Sequence, residues 1–233
     1  MGRRVVAKGN SRTESLAGNA TERSTPSLRE VRREQRIAVS REQILDAAEE
    51  LFAANGFKNT GLDKVTRASE FSVGSVYTFF DSKHDLLEAV MNRRGDDELE
   101  QLRACLAGDM PGDEIVLSMV RNIIELHQLY PSFGRLSAWL FTPGFDVVPD
   151  IASFRERRDE ALDMFATAIE RGQQAKRIRR GSPRGLACLV SALISTHHLL
   201  DAKLTATPSG VMTVDELLEI VAGALSLSAP VEK

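Results

Sequence analysis

Cysteine is scarce in this chain, with Cys105 and Cys188 the only two in 233 residues. They lie far apart on apolar stretches and in no metal-ligand spacing, so the sequence holds neither a disulfide scaffold nor a zinc motif. No apolar run approaches the roughly 20 residues that a bilayer span needs. The basic N-terminus has no apolar core of the kind that marks a signal peptide, and the chain reads as cytoplasmic. Strong overall charge is missing too: the balance is −3 with a pI near 5.9, so composition alone announces no nucleic-acid partner. Apolar alternation of period two is absent over any useful length, which excludes a sheet. There is no nucleophile–base spacing, no Gly-rich phosphate loop after a strand and no His/Glu pair such as HExxH. No catalytic residue, metal ligand or cofactor is therefore assigned, and a small all-α enzyme is the remotest alternative.

What is present is uneven charge and strong helical period. Residues 1–41 hold ten of the 30 Lys and Arg but four of the 33 Asp and Glu, which leaves the remainder acidic. Such an arm either contacts phosphates or is a solvated tail. Residues 1–27 are rich in Ser, Thr, Arg and Gly, with little apolar surface to offset ordering, so a disordered arm is expected over 1–39. Within it, Ser27 and Glu30 form a capping-box pattern ahead of a possible short helix from Leu28 to Ile37. From Ser40 the signals strengthen. Ser40 and Gln43 read as a capping box, followed by Ile44, Ala47, Ala48, Leu51 and Phe52 at helical spacing, and Asn55-Gly56 ends the segment. Thr60 is expected to cap a second helix carrying Leu62 and Val65. Ser72 is expected to cap a third with Val76, Phe79 and Phe80, and Ser82 a long fourth over 83–106. Further helical periods cover 112–129, 131–141, 149–175, 183–204 and 214–227. About nine helices and an all-α fold are expected, with a helix-turn-helix domain over 40–84 and a helical effector-binding and dimerisation domain over 85–233.

The segment Thr60–Phe80 has the form of two short helices joined by a tight turn, the pattern whose second helix enters the DNA major groove. Together with the Ile44–Phe57 helix, Ser72-Val-Gly-Ser-Val-Tyr-Thr-Phe-Phe80, and Ser82-Lys83 before Leu86-Leu87, residues 40–91 resemble the DNA-binding domain of the TetR family of transcriptional repressors. The resemblance implies phosphate contacts from Thr60, Ser75, Tyr77 and Lys83, and base-facing roles for Val73, Gly74 and Thr78. Three departures from the family pattern matter. Glu70 stands in the turn where Gly is usual, Val73 where polar residues are common, and Phe79 where Tyr is common. The DNA site cannot be borrowed from a relative.

By the same resemblance, the chain pairs as a homodimer through its last two helices. The expected interface residues are Leu186, Leu189, Val190, Leu193, Ile194, His197, Leu217 and Val221. A cavity for a small apolar or amphipathic effector is expected around Met119, His127, Phe133, Trp139, Met164 and Phe165. Ligand binding would alter the spacing of two reading heads on a palindromic duplex operator and release it. The rival reading is a ligand-independent DNA-binding protein with a solid C-terminal core.

Overall fold

The computed structural model describes residues 27–141, 152–201 and 212–226. Packing divides the chain into two units, residues 1–37 and residues 38–233. In the first, Leu28–Ile37 is helical with Arg29, Arg32, Arg33 and Arg36 exposed; residues 1–26 of the expected arm lie outside the described residues. The arm is thus helix from Leu28 onward, in keeping with a run of Arg, Glu and Gln, all good helix formers.

Every element among the described residues is an α-helix: α1 (Leu28–Asn59), α2 (Leu62–Ser69), α3 (Val73–Phe79), α4 (Lys83–Ala107), α5 (Gly112–Leu129), α6 (Pro131–Phe141), α7 (Ala152–Gln174), α8 (Pro183–Asp201) and α9 (Val214–Leu225). Their ends follow from local chemistry. Ser40 lies inside α1 and opens no helix, contrary to its capping-box pattern. The break comes where Asn55-Gly56 predicts it, with Gly56 at φ 78° and ψ 163°, a backbone open to glycine. α2 is capped by Gly61 without a side-chain bond, so Thr60 does not have the capping role expected of it. Ser72 does cap α3, its Oγ accepting from the Ser75 amide at 3.1 Å. Ser82 caps α4 in the same way, accepting from the Asp85 amide at 3.0 Å. Thr213 and Glu216 form a full capping box on α9, each side chain accepting from the other's backbone N–H.

Two apolar clusters fill the second unit. One joins Ile44, Leu45, Ala48 and Phe52 of α1 to Val65 of α2, Val76 of α3 and Leu86, Leu87 and Val90 of α4. It continues into Leu126, Phe133, Leu136 and Phe154. The other gathers Leu99 and Leu102 of α4 with Ile115, Met119 and Ile124 of α5, Phe165 and Ile169 of α7, Val190 of α8, and Leu217 and Val221 of α9. Burying each large apolar side chain contributes about 1.5–3 kcal/mol. A polar clamp adds to the first cluster. The Arg93 guanidinium of α4 donates to Asp46 at 2.7 Å and Glu49 at 2.5 Å on α1, and to Glu42 at 3.2 Å. Such a partly buried charge group holds geometry more surely than it adds stability.

Two backbone features carry a measurable cost or constraint. Glu70, between α2 and α3, sits in the left-handed region at φ 60° and ψ 20°, which disfavours a residue with a Cβ by about 1–2 kcal/mol. Gly112 lets the start of α5 meet α7 backbone to backbone, and a Cβ there would overlap the Ala168 carbonyl oxygen and the Gly172 nitrogen. Glu70→Gly is therefore expected to raise unfolding stability by about 0.5–1 kcal/mol, net of the extra chain entropy of glycine. Urea titration reads this, and an unchanged midpoint would contradict the strain account. Gly112→Ala is expected to cost about 1–3 kcal/mol as an overpacked contact, and a neutral result in the same titration would mean that the two helices part easily.

Candidate nucleic-acid interface and adjoining cavity

Helix α3 presents two unlike faces. Val76 is buried and Phe79 half-buried, and these seat the helix on the first cluster. Val73, Gly74, Tyr77 and Thr78 point outward, with Tyr77 52% exposed. An exposed tyrosine and an exposed valine on one short helix serve no packing purpose in this chain. The hydroxyl of Thr78 donates to the Gly74 carbonyl at 3.0 Å, leaving its oxygen free to accept. Ser75 is half-buried, its Oγ 2.9 Å from that of Ser72. On α2, Lys64 and Arg67 are exposed; Lys64 donates from Nζ to the Asn59 carbonyl at 3.0 Å, and Arg67 pairs with Asp63 at 2.5 Å. That hydrogen bond from Arg67 holds the Asp63 carboxyl below its ordinary value.

Two of the expected phosphate contacts are otherwise engaged. Thr60 is 0% exposed, and its Oγ1 lies within donating distance of the carbonyls of Gly56 (2.9 Å) and Leu51 (3.1 Å). It closes the end of α1 and cannot reach a phosphate from there. Lys83 donates from Nζ to the Phe57 carbonyl at 2.8 Å and lies 4.1 Å above the Phe57 ring. Burial pushes its pKa below the ordinary lysine value. This explains a cation at a helix start, where the macrodipole disfavours it: Lys83 ties the beginning of α4 to the end of α1. Two of its three N–H donors are left for an external partner.

Between α4, α5, α6, α7 and α8 lies a narrow cavity of about 30 Å³, room for about two waters. Its walls are mostly apolar, from Ile123, Ala138, Ala161, Leu162, Phe165 and Ile194. One polar line crosses it. His127 Nε2 lies 3.0 Å from Glu98 Oε2, and His127 Nδ1 lies 2.6 Å from His198 Nε2. Desolvation, reinforced by the neighbouring histidines, pushes His198 down to about 3, so it is neutral near pH 7. Both nitrogens of His127 are occupied by different partners, so the three side chains do not converge on one point as metal ligands would.

Of the six expected effector residues, His127 and Phe165 line this cavity. Met119 and Met164 are buried in the second cluster instead, and Trp139 packs against the first. Phe133 stands behind the wall, its ring edge-on to His127 at 5.4 Å between centroids. Glu98 and His198 were missed. Glu98 had a legible signal, because Met91, Gly95, Glu98, Leu102 and Cys105 form one helical stripe and all are buried. His198 does lie on a different face from His197, as adjacent helical residues must, but that face meets His127. His197 donates from Nε2 to the Met212 carbonyl oxygen at 3.0 Å, which joins α8 to the approach of α9.

The expected pairing residues also divide. Val190, Ile194, His197, Leu217 and Val221 are buried within the protomer, and Leu186 and Leu193 are half-buried against the second cluster. A second copy would therefore meet the opposite faces, where Leu189 is 45% and Ile220 43% exposed. Gly185, Ala192 and Thr196 continue that face of α8, and Gly223 of α9 has open space where a Cβ would stand. The resemblance points to these two helices, and their periodicity does not tell the inward stripe from the outward one, because core and interface positions are both apolar.

Among the described residues no helix is long and apolar enough to cross a membrane. The profile of the bacterial regulatory proteins, tetR family, matches residues 44–90, which span the end of α1, α2, α3 and the start of α4. The transcriptional regulator UidR of Escherichia coli K12 is 31% identical over 139 residues, covering 59% of this chain and 67% of that protein. The regulator SrpR of Pseudomonas putida is 38% identical over 55 residues, 24% of this chain and 26% of its own. A tetR-family regulatory protein from Rhodococcus RHA1 superposes with a TM-score of 0.66 at 18% identity, over 82% of this chain and 98% of its own. AibR, solved with isovaleryl coenzyme A and operator DNA, superposes with a TM-score of 0.66 at 20% identity, over 80% of this chain and 98% of its own. With a helix-turn-helix whose recognition face is exposed, a relative of this identity and coverage, and the same helical fold, the chain belongs to the tetR family of transcriptional regulators.

Proposed function

We propose that this regulator is a ligand-responsive repressor that binds a palindromic duplex as a homodimer and leaves it when a small apolar or amphipathic molecule enters the cavity. The observation that carries this reading is the path of α4. It starts at Lys83, pinned to the end of α1, and reaches the cavity wall at Glu98, about 22 Å further along at 1.5 Å per residue. A second connection runs through α6. Arg135 donates to the Ala53 carbonyl of α1 at 3.3 Å, while Ala138 on the same helix lines the cavity. A ligand that shifts α4 or α6 therefore shifts the unit carrying α3, and coupling of 1–3 kcal/mol is the usual scale.

Tyr77, Thr78, Val73 and Gly74 are the residues proposed to meet DNA, with Ser75 and the spare donors of Lys83 at the margin. Thr60 serves by holding α1 closed. A single reading head covers few base pairs, so two are needed about 34–36 Å apart. The proposed dimer face is the outward side of α8 and α9, through Leu189, Ala192, Ile220 and Gly223.

Selection of bound duplexes from a random pool is expected to return an inverted repeat. Against that duplex, Tyr77→Ala is expected to weaken binding about tenfold, the equivalent of 1.4 kcal/mol. Thr60→Ala is expected to cost about 1–2 kcal/mol of stability through unsatisfied carbonyls while the folded fraction keeps its affinity. Fluorescence anisotropy and urea titration read the two effects, and full affinity in Tyr77→Ala would mean that another face docks. Leu189→Glu is expected to convert dimer to monomer in sedimentation velocity. A dimer that survives this change would move the interface off α8. If no compound in a broad library displaces the selected duplex, the ligand-responsive part of the proposal fails and DNA binding stands.

A further inference from the structure

We propose that the cavity is built for a cationic amphiphile, a compact apolar body bearing a protonated amine that pairs with Glu98. This rests on reading the cavity as an effector site and names the class of molecule that the site takes. Glu98 is 8% exposed, and its carboxylate has one partner, His127. No Lys or Arg is among the described residues that line the cavity, whose other polar members are Ser191, Ser195 and His198.

Charge counting decides the ligand's sign. His198 is neutral near pH 7, since burial and its histidine neighbours hold its pKa far down. His198 therefore adds no positive charge to the line that runs from Glu98 through His127. An anionic head group would face the Glu98 carboxylate with no Lys or Arg among the described wall residues to balance it, whereas an ammonium pairs with the carboxylate directly. The apolar remainder, from Ile123, Leu162, Phe165 and Ile194, suits a hydrocarbon body. The free space is about 30 Å³, room for about two waters, so the body has to be compact and enters by displacing side chains of the wall.

The same geometry gives the ligand leverage. An ammonium at Glu98 competes with His127 for the carboxylate, and that contact ties α4 to α5. Gly134 of α6 presses on His127 so closely that a Cβ would stand 2.7 Å from the His127 Cβ, so a displaced ring pushes on α6. AibR resembles this chain in fold alone, and the phosphates of a coenzyme A thioester would find no Lys or Arg among the described residues lining this cavity.

The test uses the full chain without DNA and three ligands of one shape: 4-phenylbutylamine, 4-phenylbutanol and 4-phenylbutyrate, titrated by calorimetry at pH 7. The amine is expected to bind at least tenfold tighter than the alcohol, and the carboxylate more weakly than either. Glu98→Gln, a near-isosteric change, is expected to bring the amine down to the alcohol and leave the alcohol unchanged. The wild-type series decides by itself should that variant fail to fold. A carboxylate that binds as well as the amine overturns the proposal, as does an amine no better than the alcohol, or no binding by any of the three. Displacement of the selected duplex is measured separately. An amine that binds as expected but leaves the duplex in place upholds the ligand class and removes the effector role. Release by the carboxylate keeps the effector role and removes this ligand class.

Discussion

Helix α4 has to satisfy two cores at once. Its first half places Leu86, Leu87, Val90 and Met91 among the side chains of α1, α2 and α3, and its second half places Leu99, Leu102 and Cys105 against α5 and α7. One rigid rod thus belongs to both clusters, and neither can repack without moving it. Interiors are close-packed and bistable more than they are deformable, so a small displacement at one end is carried along the helix. The Arg93 clamp to α1 and the Lys83 contact with Phe57 keep that rod fixed to the unit carrying α3.

This constraint explains why polar residues stand where apolar ones would pack better. Glu98 occupies a core position on the α4 stripe, and a leucine there would close the cavity and remove the need to bury a carboxylate. Retaining it, with His127 and His198 in line, leaves a polar seam between α4, α5 and α8 in a mostly apolar wall. The seam places a carboxylate in the cavity wall, on the helix whose first half packs against α1, α2 and α3.

Much of this was legible in the chain. The caps at Ser72, Ser82 and Thr213, the break at Asn55-Gly56 and the 3,4 apolar stripes are local, so they survive translation into structure almost unchanged. The bounds of α5 are those the periodicity predicts. Judgements that needed a second element came out mixed: His127 and Phe165 do line the cavity, while Met119 and Met164 lie in the core. Ser40 has the chemistry of a cap but sits mid-helix, since the residues before it are good helix formers as well. Thr60 and Lys83 fit the family's phosphate-contacting positions, yet the carbonyls at the end of α1 take the first entirely and one donor of the second. The α8 and α9 stripes were placed at a dimer contact, although an apolar stripe that faces its own core looks the same in sequence as one that faces a partner.

By itself, the sequence determined the helices, their order, the helix-turn-helix and hence the family, because each depends on spacing of 3.6 residues per turn and on caps a few residues apart. Only the tertiary structure decided which side chains are free to act. It buried Thr60, turned Tyr77 outward and exposed Leu189 in place of Val190. It also brought Glu98, His127 and His198 from three helices to one cavity. Solvent exposure and meeting across helices depend on how the helices cross, and no single helix carries that information.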